Sequence, residues 1–476
     1  MRPQPDPLLQ DIADYVVDYK ITSKEALQAA SLCLMDALGC ALQSLQHDNC
    51  VRLLGPSFDK MQCKHGARVP GTNHTLDPVQ AAFNLGIMIR WLDFNDTWLA
   101  AEWSHPSDNL GGILAVADYL AGKSDSFNNS NLTMQEVLEA TVKAYEIQGV
   151  LALENSFNRV GLDHVLLVRI ATCAVVTAMF GGTKTQVINA ISNAWIDGGA
   201  LRIYRHAPNT GSRKSWAAGD ATARGVWHAV MSLKGEMGYP STLTEAVWGF
   251  QDVLFGGEQI KFSQSLGSYV IENVLFKVKY PAEFHAQTAA EAATKLHSKV
   301  IKRISEINKI EIYTQESAIR IIDKSGPLTN PADRDHCLQY IVAVTLLSGD
   351  LSAQHYYSPF ADDSRIDELR TKMVVKEDPL YSEEYLDPDK RSVTNSIQVF
   401  FKDGTATGKV EIRYPLGHRK RRLEAIPLLK EKFKKALINV NLGQQAEHIV
   451  SLFQDFEMLS RTPVNNFVQN FIPRKQ

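Results

Sequence analysis

What this chain lacks narrows what it can do. It has no surplus of positive charge: 50 Lys and Arg stand against 53 Asp and Glu, with a formal net charge of −3. No basic field exists to hold a phosphate backbone, so nucleic acid is not an expected partner. It has no clustered thiols. Cys33, Cys40, Cys50, Cys63, Cys173 and Cys337 form no C-x-x-C pair, which argues against structural zinc and an iron–sulfur cluster. Free, mostly buried thiols are expected instead. The apolar run VLLVRIATCAVVTAMF at 165–180 is shorter than a membrane span and contains Arg169, so it reads as a buried helix. The start, MRPQPDPLLQ, has neither an apolar signal core nor a transit-peptide composition. No membrane association and a cytoplasmic location are therefore expected. Also missing are G-x-x-x-x-G-K-[ST], G-x-G-x-x-G after a strand, G-x-S-x-G and H-E-x-x-H, which removes support for nucleotide, dinucleotide, serine-hydrolase and zincin chemistry.

What is present is ordinary globular material, 45% hydrophobic and 22% charged over 476 residues, enough for two domains. Residues 7–20 set Leu8, Leu9, Ile12, Tyr15 and Val16 along one side of a helix. Thr22-x-x-Glu25 and Thr133-x-x-Glu136 predict capping boxes that open helices to about Leu45 and Glu154. Asp77-Pro78 predicts another start, the aspartate capping and the proline in first position. Further helices are predicted at 161–182, 185–197 and from the basic 201–220 loop to Leu233, with 46–77 irregular. Helix after helix without alternating strands predicts an all-helical domain over 1–272.

After Tyr269 the pattern changes. KIEIYT (309–314), SIQVFF (396–401) and KVEIRY (409–414) alternate as strands, and Asp403-Gly404 marks a hairpin turn. Helical stretches at 283–297, 331–348 and 363–373 lie among them. A smaller α+β domain over 273–417 is predicted, and helices over 418–476 that return to the first domain. The fold class is mainly α with an α+β part.

The segment from Trp91 to Gly112, WLDFNDTWLAAEWSHPSDNLGG, concentrates chemistry. The preceding apolar helix is expected to deliver Asp93 and Thr97 on one face. His105 falls in a loop between two helices, the usual anatomy of a site. Taken singly such residues are most often caps or solvated side chains; their density is the signal. His164, after Asp163 at a helix start, suits a neutral base. Lys214 in the basic loop, and Lys277, Lys279 and His285 in VLFKVKYPAEFHAQTAAEAA, complete the set at a domain junction. Glu283 and Glu291 read as helix N-terminal charges, and His418-Arg-Lys-Arg-Arg422 as a solvated face or inter-domain contact. Histidines, lysines and carboxylates converging without nucleotide motifs suit proton transfer at carbon on a small polyanionic acid.

The segments LDFNDTW, SHPSDNLGGILAVADY, RKSWAAGDATARG, VLFKVKYPAEFHAQTA, GPLTNPADRDHCLQY and YPLGHRKRR resemble the MmgE/PrpD family, most closely its branch acting on 2-methylcitrate. The resemblance spans nearly the whole chain. It implies a large helical domain with an inserted α+β lid. It also implies a cofactor-independent hydro-lyase of propionate breakdown by the methylcitrate cycle, working on a tricarboxylic acid as a homodimer. By similarity to related cis-aconitate decarboxylases, catalytic residues fall on Asp93, Thr97, His105, His164, Lys214 and Lys277, with Lys279 as the alternative lysine before Pro281. Arg213, His285 and Tyr340 are further expected substrate contacts. His164 or His105 is expected to take the proton while Asp93 and Thr97 assist departure of the hydroxyl. Asn95, where the decarboxylases often carry Asp, and a loop two residues longer between Thr97 and His105 favour the dehydratase branch. A decarboxylase or dicarboxylate epimerase of the same family is the nearer alternative, a non-catalytic helical interaction protein the distant one.

Overall fold

The computed structural model describes residues 2–59, 61, 63–122, 132–206, 208–438, 440, 442 and 445–473. Local capping explains where several of the helices begin. Asp77 accepts from the Val79 and Gln80 amides at 3.0 and 3.1 Å ahead of Pro78, opening helix Pro78–Arg90; such a cap is worth about 1 kcal/mol. Glu136 accepts from the Thr133 amide at 3.0 Å, completing the box before Met134–Glu154. The first predicted box sits one residue off. Ser23, not Thr22, caps Lys24–Ser44, accepting from the Ala26 amide at 3.1 Å.

Two helices central to the site cross at glycines. A Cβ on Gly86 would lie 2.6 Å from the Cα of Gly219, and one on Gly219 would lie 2.6 Å from the Phe83 carbonyl. Only glycine lets Pro78–Arg90 and Arg213–Leu233 approach this closely. That contact brings Arg90 and Lys214, at opposite ends of the two helices, to one region.

The first apolar core gathers residues from Leu8 to Val278, together with Ala425, Leu429, Phe433, Ile449, Phe467 and Phe471 from the C-terminal helices. Helix Lys24–Ser44 is long and apolar enough to cross a membrane, but Leu34, Leu38 and Leu42 lie in this core. Helix Arg422–Ile438 packs against it, with Phe433 over Gly39. Its predicted end at Val440 passes through Asn439, and the tail's last three residues also lie outside the described residues.

The second core covers residues 280–412. Its sheet runs Met373–Glu377, Ile307–Thr314, Asn395–Phe401, Val410–Ile412 in spatial order. The first pair is parallel and the rest antiparallel, with Ile312 opposite Val375 on one side and Ile397 on the other. Ile310, Ile312, Ile397 and Val399 are buried in the core with Ala289, Ala293, Ile341 and Val342 of helices Gln287–Val300 and Leu338–Ser348. The Asp403-Gly404 turn is present, with Gly404 at φ 83°. Edge strand Met373–Glu377 was not predicted, because it is largely exposed and lacks alternation. The helix predicted over 331–348 is broken into Pro331–Arg334 and Leu338–Ser348, and the break falls at Asp335 and His336. Leu99, Trp103, Leu275, Phe284, Tyr385 and Val393 form a small apolar cluster where the two cores meet.

Candidate active site

Beyond Arg90 the chain does not continue as a helix. Asp93 takes a left-handed conformation, φ 49°, so it and Thr97 are not on one helical face as expected. Instead Thr97 exchanges both backbone hydrogen bonds with Leu275, at 2.7 and 2.9 Å. That pairing lays the Asp93–Thr97 turn alongside the segment carrying Lys277. The Lys277 ammonium donates to the Asp93 carbonyl at 2.8 Å and pairs with Asp93 Oδ1. Arg90 closes the same carboxylate at 2.7 Å.

These groups line a narrow, nearly closed cleft between the two cores, with about 20 Å³ of free volume. Arg90, Lys277, Arg202 and Arg205 contribute positive charge to its wall, and Lys214 lies 3.6 Å from Asp93 Oδ2. Each cation is answered by an internal carboxylate. Arg205 and Arg202 pair with Asp163, and Lys214 lies 2.6 Å from both Asp335 oxygens. Burial alone would raise these acids, but the cations outweigh it. Arg90 and Lys277 hold Asp93, and Arg205 holds Asp163, well below the usual carboxylate range.

The two imidazoles are neutral. His105 Nε2 faces Arg90 at 2.9 Å and Nδ1 faces the Asp96 carbonyl at 2.8 Å and Thr97 Oγ1 at 3.3 Å. Arginine can only donate and a carbonyl only accept, so the proton sits on Nδ1. Burial, then Arg90 and Lys277, push its pKa well down. His164 stands just before helix Val165–Met179 and makes no side-chain capping bond to it. It is fully buried and its ring centroid is 5.5 Å from that of His105; Nδ1 lies 3.5 Å from Asp163 Oδ1, beyond good hydrogen-bond geometry, and Nε2 has no partner among the described residues. Burial also holds it well below 6.5.

The structure brings Asp93, Thr97, His105, His164 and Lys277 together around the cleft, with Lys214 behind Asp93. It leaves four expected contacts outside. Lys279 points to solvent, 3.8 Å from Asp350; regular alternation would put 277 and 279 on one face, but the chain bends at 279. Arg213 is half-buried and stacks on Trp216 at 4.2 Å, away from the cleft. Tyr340 donates to the His355 carbonyl at 2.6 Å inside the second core. His285 is buried behind the wall, 2.8 Å from Glu283 and 3.1 Å from the Tyr385 hydroxyl. It is Glu283, read from sequence as a helix-end charge, that lines the cleft; His285 helps hold it down to about 2 against the effect of burial.

Arg90, Arg202, Arg205 and the Asp335–His336 pair were not singled out from sequence. A lone arginine closing the apolar run AAFNLGIMIR was the available signal for Arg90. His336 Nδ1 is 2.7 Å from Asp335 Oδ1, and its Nε2 lies 3.7 Å from Asp93 Oδ2. Burial and Lys214 lower it to about 4. Ligand atoms of Asp93, Asp335 and His336 come within 4.8 Å of one another, as a metal site would require. The Lys214 ammonium already sits among them and supplies the cation.

The other acids of the 91–112 stretch build the scaffold. Asp96 accepts from the Ser107 amide and hydroxyl and from Tyr145 at 2.5 Å. Glu102 accepts from the Asn158 amide at 2.7 Å, and Asp108 from Asn95 at 3.0 Å. A recognition surface would need this stretch flat and exposed; nearly all of it is buried.

A nearly closed cleft lined by four cations, with Lys214 behind Asp93 and two neutral imidazoles in its wall, suits acid–base chemistry on a small polyanion. The MmgE/PrpD N-terminal domain profile matches residues 10–263 and the C-terminal domain profile residues 280–457; the chain belongs to the MmgE/PrpD family. It is 55% identical to a 2-methylcitrate dehydratase of Salmonella typhi over 475 residues, covering 99% of this chain and 98% of that one. A 2-methylcitrate dehydratase of Escherichia coli is 54% identical over the same shares of each chain. A mitochondrial 2-methylcitrate dehydratase of Yarrowia lipolytica is 56% identical, covering 92% of this chain and 85% of that protein.

Proposed function

We propose that this protein is a hydro-lyase that converts 2-methylcitrate to 2-methyl-cis-aconitate and water in the methylcitrate cycle, by acid–base catalysis without a metal or cluster. One observation carries the catalytic reading: His164 is a neutral, buried imidazole beside a cation-rich cleft, with Nδ1 3.5 Å from Asp163 and Nε2 without a partner among the described residues. An unsatisfied buried polar group costs roughly 1–3 kcal/mol, and a substrate supplies the missing partner.

His164 takes the proton from the methyl-bearing carbon, α to a carboxylate. The released electron pair forms the carbon–carbon double bond and the neighbouring C–O bond breaks. Lys277, made a better acid by burial, gives the departing hydroxyl a proton and water leaves. Arg90, Arg202, Arg205 and Lys214 exchange internal carboxylates for those of the substrate, stabilising the developing negative charge. Thr97 and Asp93 keep His105 and Lys277 oriented. We place the protein in the cytoplasm as a homodimer; the exposed side chains of Leu201, Ile203, Trp248 and Val253 supply apolar surface for a second copy.

The test is product identity. Purified protein incubated with 2-methylcitrate, with and without a chelator, should yield the unsaturated tricarboxylate equally in both. A decarboxylated or epimerised product from related acids, with none from 2-methylcitrate, overturns the reading.

A further inference from the structure

Helix Arg422–Ile438 reaches the back of the site through one side chain. The Lys432 ammonium has three N–H donors and three acceptors. It lies 2.7 Å from Asp36 Oδ1, 2.7 Å from the Phe94 carbonyl and 2.9 Å from the Lys277 carbonyl. It also sits over the Phe94 ring, 3.6 Å from the centroid. Asp36 belongs to helix Lys24–Ser44, whereas the two carbonyls belong to the chain segments carrying Asp93 and Lys277.

We propose that Lys432 is a positioning residue for the Asp93–Lys277 pair, resting on the role given to that pair above. Asp93 occupies a left-handed conformation, which costs energy for a residue other than glycine. Beyond it, the Thr97–Leu275 backbone bonds tie the two segments together. Lys432 ties them again next to the reacting groups, so its loss frees the peptides on either side of the pair to separate. The Asp36 carboxylate, outweighing burial, keeps the ammonium charged. The ion pair and the carbonyl clamp are thus separable: Asp36 fixes the charge, and the two carbonyls receive the positioning.

The experiment compares Asp36→Asn, Asp36→Asn/Lys432→Met and wild type. Asp36→Asn keeps both carbonyl contacts, and kcat should stay within about threefold of wild type. The double variant carries no buried lone charge and should melt near wild type. Its kcat should fall at least tenfold with a smaller change in KM, and the alkaline limb of its pH profile should shift. Crystals of it should show the Asp93–Lys277 contact lengthened, a readout independent of the substrate assigned. Should the double variant be insoluble, Lys432→Arg keeps the ion pair while altering the carbonyl geometry, and the same kcat loss is expected. A folded double variant, or Lys432→Arg, with native kcat, pH limb and Asp93–Lys277 contact overturns the proposal. So does an Asp36→Asn variant as impaired as the double variant. Wild-type protein inactive on 2-methylcitrate would count against the functional reading instead, leaving the structural readout to judge Lys432.

Discussion

Arg90 donates to Nε2 of His105 across 2.9 Å, and so occupies the one lone pair that ring could offer a substrate. His105 is thereby held in a single tautomer, with its other nitrogen on the Asp96 carbonyl. His164, one ring away, has Asp163 near Nδ1 at 3.5 Å but nothing on Nε2 among the described residues. The division of labour between two similar histidines follows from this one contact.

Replacing Arg90 with Met should therefore change His105 itself. After burial, Arg90 is the strongest influence lowering its basicity, so the His105 titration should move upward, as read by imidazole NMR. The same change removes a carboxylate partner and should raise KM for 2-methylcitrate by about tenfold or more. An unchanged titration would mean that Arg90 does not face the ring in solution.

Lysines two residues apart should behave oppositely. Lys277→Met should lower kcat/KM at least a hundredfold, within the range typical for loss of a proton donor, ~10²–10⁴. Lys279→Met, Arg213→Met and Tyr340→Phe should stay within about threefold of wild type, since these side chains lie outside the cleft. Steady-state kinetics on the four variants decides it.

Activity should persist on the acid side. A base works unprotonated, and burial holds His164 well below 6.5. Lowering pH through 6.5 should not abolish kcat/KM; the acid limb should fall below that value. A limb at or above 6.5 would point to a solvated imidazole instead.

Stability should carry the opposite signature at Asp108, whose pKa burial raises to about 7. In the unfolded chain this carboxyl ionises near 4, so between about pH 4 and 7 the folded state binds the extra proton. Its contribution is fully present below 4 and is lost as pH rises through 7. Asp108→Asn should flatten the melting temperature over that window, by on the order of 1 kcal/mol per pH unit. Differential scanning calorimetry at several pH values measures it.

The sequence was most legible where the physics is local. Asp77-Pro78 and Thr133-x-x-Glu136 specify helix starts with their own side chains, and alternation revealed the inner strands. What escaped depends on distant partners. Arg90 reads as an ordinary favourable charge at a helix C-terminus, and only the fold shows it buried between Asp93 and His105. His336 lay hidden in what looked like continuous helix over 331–348. The left-handed turn at Asp93 has only a weak local signature, because aspartate adopts that conformation more readily than most side chains but far less often than glycine.

The most direct test of the whole account is turnover of His164→Gln on 2-methylcitrate, followed by absorbance of the unsaturated product, beside His105→Gln and wild type. The account predicts a folded His164→Gln variant slowed by ~10²–10⁴, with His105→Gln less impaired. A folded His164→Gln variant turning over at the wild-type rate would contradict it.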